Sequence, residues 1–279
     1  MDIYISTLAI RKYSPEEIVD IALQNNWAIE FSSGMDYRCD LQNFYESLLL
    51  KRIPHNYFPA PEVPFVLNLA SIDNEIREKS INHCINGLEL ASSSNSPFFS
   101  AHAGFCIDPD PKQLGHQILY NSNFDREVNK KYFLESIRLL TDKAKELNIQ
   151  FLIENNVIAG FNFNDGINPF LCCDSFEMRW LVENIDDPHF GILLDTAHLK
   201  VSCKTLGLNK ELELLKLQSY IKAIHHSDND GNSDDNLLLS KDYWFLPHMN
   251  KFKTISHVLE VKDLSPSQIN NQINLLSIC

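Results

Sequence analysis

The sequence predicts a closed α/β barrel of eight parallel strands, and three observations carry that expectation. Short apolar runs of strand length alternate about eight times with segments of helical periodicity, from the first residues to the last. The 279 residues contain no interior linker and no shift in composition, so residues 1–279 read as one domain of the size such barrels commonly have. Several apolar runs also stop abruptly at a carboxylate or an imidazole, as expected where strand ends gather at one face of a barrel.

The elements follow in order. Asp2-Ile-Tyr-Ile-Ser-Thr-Leu8 reads as a strand. Ser14-Pro-Glu-Glu17 then starts a helix, with Ser as cap, Pro at the first position and Glu at the third, and carries Ile18, Ile21, Ala22 and Leu23 towards a core. Trp27 to Phe31 is the next strand, followed by a helix around Leu41 to Leu50. Ile53-Pro-His55-Asn-Tyr-Phe-Pro59 is a short strand or turn whose prolines exclude a helix, and Pro64-Phe-Val-Leu-Asn-Leu69 reads as a second extended piece. Helical spacing returns from Asn74 to about Leu90. Pro97 to Gly104 is a strand carrying His102, and the proline-bearing excursion from Phe105 to about Asn129 is expected to cover the face the strands point towards.

Lys130 to Leu147 repeats Phe133, Leu134, Ile137, Leu140, Ala144 and Leu147 at helical spacing and delivers the chain to the strand Phe151-Leu-Ile-Glu154. Asn162 to Cys173 is a polar loop and Ser175 to Asn184 a helix. Gly191-Ile-Leu-Leu-Asp195 is the next strand, Lys210 to Tyr220 a Leu-rich helix, and Ile221-Lys-Ala-Ile-His225 another strand. An acidic loop, Asp228 to Asn236, and a short helix near Tyr243 to Lys251 lead to His257-Val-Leu-Glu260. Ser265-Pro-Ser-Gln begins the last helix.

Bulk composition narrows the function. With 44% hydrophobic and 22% charged residues the chain reads as an ordinary globular protein, and no run approaches the roughly 18 apolar residues of a membrane span. A net charge of -13 gives no electrostatic footprint for nucleic acid. Met1 to Ile10 lacks the basic start and long apolar segment of a signal peptide, and the seven cysteines include no CxxC pair. Cytoplasm is the expected compartment, without a disulfide framework or thiolate zinc site. No GxGxxG, P-loop or GxSxG occurs in suitable surroundings, and the loop from Asp228 fails as a calcium hand because Leu239 stands at its twelfth position.

What remains is a set of carboxylates and imidazoles at strand ends. Glu154, Asp195, His225 and Glu260 come from four strands and suit one octahedral divalent ion with two positions open to substrate oxygens. Mixed nitrogen and oxygen donors favour Zn, Mn, Co or Fe(II). His198, three residues after Asp195 and just past the strand, can bind a second metal or a substrate hydroxyl. His55 and His102 end two earlier strands. His225 and His226 alternate in direction, so only one faces the axis, and His226 is expected to pack elsewhere.

These residues resemble the xylose-isomerase-like TIM barrels, a family of sugar isomerases and ketose 3-epimerases that also includes endonuclease IV. The signatures are Ile153-Glu-Asn155, Leu194-Asp-Thr-Ala-His198, His225-His-Ser-Asp-Asn-Asp-Gly231 and Leu259-Glu-Val-Lys262, in the family's order. In the epimerase branch the resemblance implies one metal on Glu154, Asp195, His225 and Glu260. Glu154 and Glu260 would act as paired acid and base on opposite faces of a ketose, and His198 would help stabilise an ene-diolate. In the endonuclease branch it implies further ligands: His55, His102, His198, and an Asp-x-His pair whose places here hold Asp234 and Asn236. An amide oxygen binds zinc weakly beside imidazole, which disfavours a third metal. Asp228 and Lys262 complete the candidate contacts. The resemblance ranks a sugar or sugar-phosphate isomerase or epimerase first, an endonuclease-like phosphodiesterase second and a non-catalytic sugar-binding barrel third. It implies a small-molecule substrate, no membrane, no nucleic acid as the main partner, and a homodimer as a common state of such barrels.

Overall fold

The computed structural model describes residues 1–32 and 34–277. Its strands are β1 (Asp2–Ser6), β2 (Ala28–Phe31), β3 (Arg52–Pro54), β4 (Phe98–His102), β5 (Gln150–Glu154), β6 (Phe190–Asp195), β7 (Ile221–His226) and β8 (Ser256–Leu259). They form one eight-stranded sheet in the order β3-β2-β1-β8-β7-β6-β5-β4, parallel at every pairing. The two end strands meet through a parallel bridge of His55 to Ser100, with Asn56 N donating to Ser100 O at 2.7 Å. The sheet is thereby curled into the expected barrel, nearly closed.

Helices α1 (Pro15–Asn25), α2 (Leu41–Ser47), α3 (Asn74–Ser93), α4 (Arg126–Glu146), α5 (Ser175–Ile185), α6 (Thr196–Leu206), α7 (Lys210–Leu217) and α8 (Pro266–Ser277) lie between and after the strands, with α6 and α7 both between β6 and β7 and only a 3-10 segment between β7 and β8. The capping box at Ser14 forms as its spacing requires: Glu17 N donates to Ser14 Oγ at 3.3 Å and Ser14 N to Glu17 Oε2 at 2.8 Å.

Three expectations are corrected. Thr196 to Leu206 is a helix that the sequence did not announce, because its Thr, His, Val, Ser and Cys residues are weak helix formers; Asp195 starts it and Gly207, at φ 69°, ends it. Pro64 to Leu69 is not a strand. The Asn68 side chain takes the bonds a neighbouring strand would offer, accepting from Ala70 N and Phe105 N and donating to Phe105 O and Ile107 O. The helix expected near Tyr243 is a 3-10 turn, Leu246–Phe252, with Pro247 near its start.

Strand alternation sorts the side chains. Tyr4, Ile53, Phe98, Leu152, Leu193, Ala223 and Val258 pack together with Ala28 against them, one residue from each strand, and so form an apolar plug across the barrel axis. Their outward neighbours, such as Ile29, Phe151, Ile192 and Ile224, join the larger core under the helices. Two residues beyond each plug residue stand Ser6, Glu30, His55, Ser100, Glu154, Asp195, His225 and Glu260. The first inward layer beyond the plug is therefore polar throughout.

On α3, His83 packs against the rings of Tyr57 and Phe65 with Nε2 buried and without a hydrogen-bond partner among the described residues. Burial pushes its imidazole down to about 4. A depressed folded-state value means that this residue's contribution to stability is complete above the unfolded value of about 6.5 and is lost as pH falls towards 4. Urea midpoints of wild type should fall across that window, and His83→Phe should flatten the decline; identical pH profiles would show that His83 takes up its proton in the folded state as readily as in the unfolded one.

Candidate metal centre

Glu154 lies at the middle of the polar layer, 1% exposed. His55 Nε2 and His102 Nε2 stand 3.2 and 3.6 Å from its Oε2, and His198 Nδ1 and His225 Nδ1 stand 3.5 and 3.6 Å from its Oε1. Yet neither oxygen has a hydrogen-bond partner of acceptable geometry among the described residues. A buried carboxylate surrounded at 3.2–3.6 Å by imidazole nitrogens, with both oxygens unsatisfied, is an arrangement that a cation between the groups would complete.

Hydrogen bonds decide which nitrogen of each ring is free. His55 Nδ1 is 2.8 Å from Ser100 Oγ, which leaves Nε2 for the centre. His225 Nε2 is 2.9 Å from Glu30 Oε2, which leaves Nδ1, itself 2.9 Å from Glu260 Oε2. An imidazole with one N–H fixed by a carboxylate and the other nitrogen directed at a shared centre is the arrangement that orients metal-binding histidines. Glu30 was absent from the sequence-derived candidates, although it faces the same inward layer from the end of β2, one residue before Phe31.

Asp195 is divided between two tasks. Its Oδ1 caps α6 by accepting from His198 N at 2.7 Å, which points the buried and unpartnered Oδ2 elsewhere. Asn155 extends the ladder between β5 and β6: Asp195 N donates to Asn155 Oδ1 at 2.8 Å, and Asn155 Nδ2 donates to Asp195 O at 3.1 Å. The result is two groups of possible ligands that share Glu154: His55 and His102 on one side, Asp195, His225 and Glu260 on the other. Within each group the ligand atoms lie within 4.8 Å of one another. Glu30, His55 and His225 form a third, overlapping group.

Electrostatics fit the same picture. Burial alone would raise the Glu154 carboxyl, but His102 and His225 hold it well below its ordinary range. Burial pushes Asp195 up to about 7. For His225 burial is outweighed by Glu30, Glu260 and Glu154, and for His198 by Asp195 and Asp234, so both rings are held well above the usual histidine value. His102 is pushed by burial down to about 4. The acids thus draw protons onto imidazoles at positions where a divalent cation would displace them.

The remaining candidates fall in different places. His198 sits in the first turn of α6, with Nδ1 2.9 Å from Asn155 O and Nε2 3.2 Å from Asp234 Oδ2. Asn236 directs its amide nitrogen at Ser227 Oγ, 3.5 Å away, and its backbone carbonyl accepts from Lys262 N. Asp228 is removed from the centre, paired with Lys200 at 2.6 Å. His226 packs on the outer side, stacked on His257 and 3.0 Å from Tyr243 Oη. Tyr243 also meets Thr196 Oγ1 at 2.5 Å, and Thr196 donates to His225 O, so the outer network holds the inner histidine's backbone. A cavity of about 520 Å³ opens against His102, His198, Asp234 and Lys262.

Residues 22–262 match the family described as xylose isomerase-like TIM barrel. The chain belongs to that family. A probable endonuclease 4 of Mesomycoplasma hyopneumoniae (strain 7448) is 25% identical over 190 residues, 66% of this chain and 58% of that protein's length. Two solved structures share the fold: a D-tagatose 3-epimerase-like protein, with TM-score 0.73, 18% identity and 100% and 98% of the two chains covered, and the TTHB071 protein from Thermus thermophilus soaked with zinc chloride, with TM-score 0.66, 18% identity and 100% and 99% covered. In this family member, Glu154→Gln should lower the zinc bound per chain relative to wild type, measured by elemental analysis, since Glu154 belongs to both ligand groups; unchanged zinc would mean that Glu154 holds no ion. Glu30→Gln should weaken zinc retention against a chelator by about 10- to 100-fold; unchanged retention would mean that Glu30 does not orient His225 for an ion.

Proposed function

We propose that this family member is a divalent-metal-dependent hydrolase of phosphoric esters that holds two ions side by side. The observation that carries the reading is Glu154, shared between the His55–His102 pair and the Asp195–His225–Glu260 group. A one-ion centre on Glu154, Asp195, His225 and Glu260 would leave His55 and His102 as substrate contacts, whereas a second ion would use both as ligands. The ligand chemistry, mixed imidazole and carboxylate, suits Zn, Mn, Co or Fe(II). Two adjacent divalent ions supply Lewis-acid polarisation of ester oxygens and lower the pKa of water.

The chain's own residues account for the rest. His198, its Nδ1 donating to Asn155 O and its ring held protonated by Asp195 and Asp234, has on Nε2 at the cavity edge a proton that Asp234 Oδ2 accepts at 3.2 Å and that a leaving oxygen would take in its place. Asp234 holds that ring in place from the other side. Lys262, the lysine on the cavity wall, attracts an anionic substrate. The overall charge of -13 argues for a small ester in preference to a DNA backbone.

Sugar isomerisation, ranked first from the sequence, stands second. It is favoured by the completeness of the Glu154, Asp195, His225 and Glu260 group without His55 or His102. Against its two-base form, Glu154 is buried beneath imidazoles and does not line the cavity.

Zinc- or manganese-loaded protein should hydrolyse bis(4-nitrophenyl) phosphate in a chelator-sensitive way, and His55→Ala should lower kcat at least tenfold. Solvent deuterium entering a ketose, without any ester hydrolysis, would replace this reading by the isomerase one.

A further inference from the structure

The cavity beside the metal centre is divided by chemistry. At its inner end stand His102, His198, Asp234 and Lys262, the groups that would meet the reacting oxygens. The remainder is walled by apolar side chains from three separate segments: Phe65 and Leu67 after β3, Leu114 and Ile118 from the covering excursion, and Phe161 and Phe170 from the loop after β5. Phe161 and Leu114 are 39% and 45% exposed, large apolar groups standing beside a cavity with nothing laid over them among the described residues.

Two of the three amides on this wall, Asn156 and Asn162, are not free to read a sugar, and the oxygen of the third, Asn56, accepts from His102 N at 3.4 Å. Asn156 Nδ2 donates to Ala103 O, Gly104 O and Leu171 O, all at 3.0 Å. Asn162 accepts from Ile118 N and donates to His116 O. Both are tied into the backbone of the loops they join. A polyhydroxylated ligand placed against Phe65, Leu67, Leu114, Ile118, Phe161 and Phe170 would lose water with few partners to replace it, whereas a hydrocarbon group would lose none that it needs.

We infer that the substrate carries an apolar group, an alkyl chain or aromatic ring of about six carbons or more, next to the anionic head that reaches the metal centre. About 520 Å³ is ample for such a group together with its head. The inference rests on the proposed reading only for the identity of the head as a phosphate; the apolar side of the substrate follows from the cavity wall alone. It also explains how specificity arises without a basic surface: the apolar half supplies affinity that Lys262 alone would not.

The test compares ligands that differ only in the tail, measured by calorimetry on zinc-loaded protein. Hexyl phosphate should bind at least tenfold tighter than methyl phosphate. Replacing Phe161 and Leu114 together by Ser should remove at least threefold of that preference while leaving the methyl phosphate affinity unchanged, and both side chains are exposed enough for the variant to fold. Equal affinity for the two phosphates, or a preference untouched by the substitutions, would overturn the inference. Hexyl β-D-glucoside against methyl β-D-glucoside separates the two claims. A hexyl preference among glucosides with no phosphate binding would sink the phosphoric-ester reading and uphold the apolar subsite. No hexyl preference in either series would sink the subsite whatever the head group.

Discussion

The desolvation of Glu154 is the constraint on which the rest of the centre depends. An ionised carboxylate at 1% exposure is strongly disfavoured unless positive charge stands close by, and here that charge has to come from the surrounding imidazoles or from cations held among them. Glu30, Asp195, Asp234 and Glu260 add four further acids around the same layer, against Lys262 as the lysine on the cavity wall. Imidazolium ions can offset part of this, and the raised values at His198 and His225 show the field drawing protons in. Two divalent ions would offset four of the five carboxylate charges and satisfy the Glu154 oxygens that protons on neighbouring rings leave without good hydrogen bonds. The centre is thus electrostatically costly without cations and close to balanced with them.

The barrel tolerates such a layer because the plug beneath it and the ladder beside it are independent of it. Tyr4, Phe98, Leu152 and their neighbours fill the axis below, and the outward-facing residues bury against the helices, so the strands are held in register by contacts that do not involve the acids. Rigidity of the ligands then comes from bonds to the backbone and to fixed side chains: Asp195 through the cap of α6, His55 through Ser100, His225 through Glu30, and the end of β6 through Asn155. Substitution of a ligand would accordingly change metal affinity more than it changes folding.

Most of this layer was legible in the sequence, because an apolar run that stops at a carboxylate or histidine is conspicuous. Glu154, Asp195, His225 and Glu260 each follow such a run, and all four meet. Glu30 does too, but Phe31 directly after it makes the acid look interior to a strand that continues; the rule that exposes it is parity, since it lies two residues beyond Ala28 as Glu154 lies two beyond Leu152. His55 and His102 entered the candidates only as strand ends and through the resemblance; that both approach Oε2 of Glu154 depends on β3 and β4 meeting through the His55–Ser100 bridge. Helix α6 was hidden by weak helix formers, and Pro64 to Leu69 mimicked a strand because Asn68 supplies from its side chain what a strand takes from its neighbour. In both cases tertiary contacts outweighed local preference.

Around Asp234 the described residues form no ligand group of their own. His198 and Asp234 approach each other at 3.2 Å, and one more nitrogen donor would let them hold another ion. Asn236 occupies that part of the loop, but its amide nitrogen points to Ser227 and its backbone carbonyl is engaged by Lys262 N. Lys262, on the same cavity wall, lends positive charge to Asp234. An ammonium attracts an anion without lowering the pKa of a bound water as a dication does, so on the proposed reading Lys262 would bind and orient the substrate while ions at the Glu154 groups would activate water. With the apolar wall continuing outward from the same end, the cavity runs from ion centre to lysine to hydrocarbon surface, and its three parts would engage the reacting bond, the charge and the bulk of a substrate in that order.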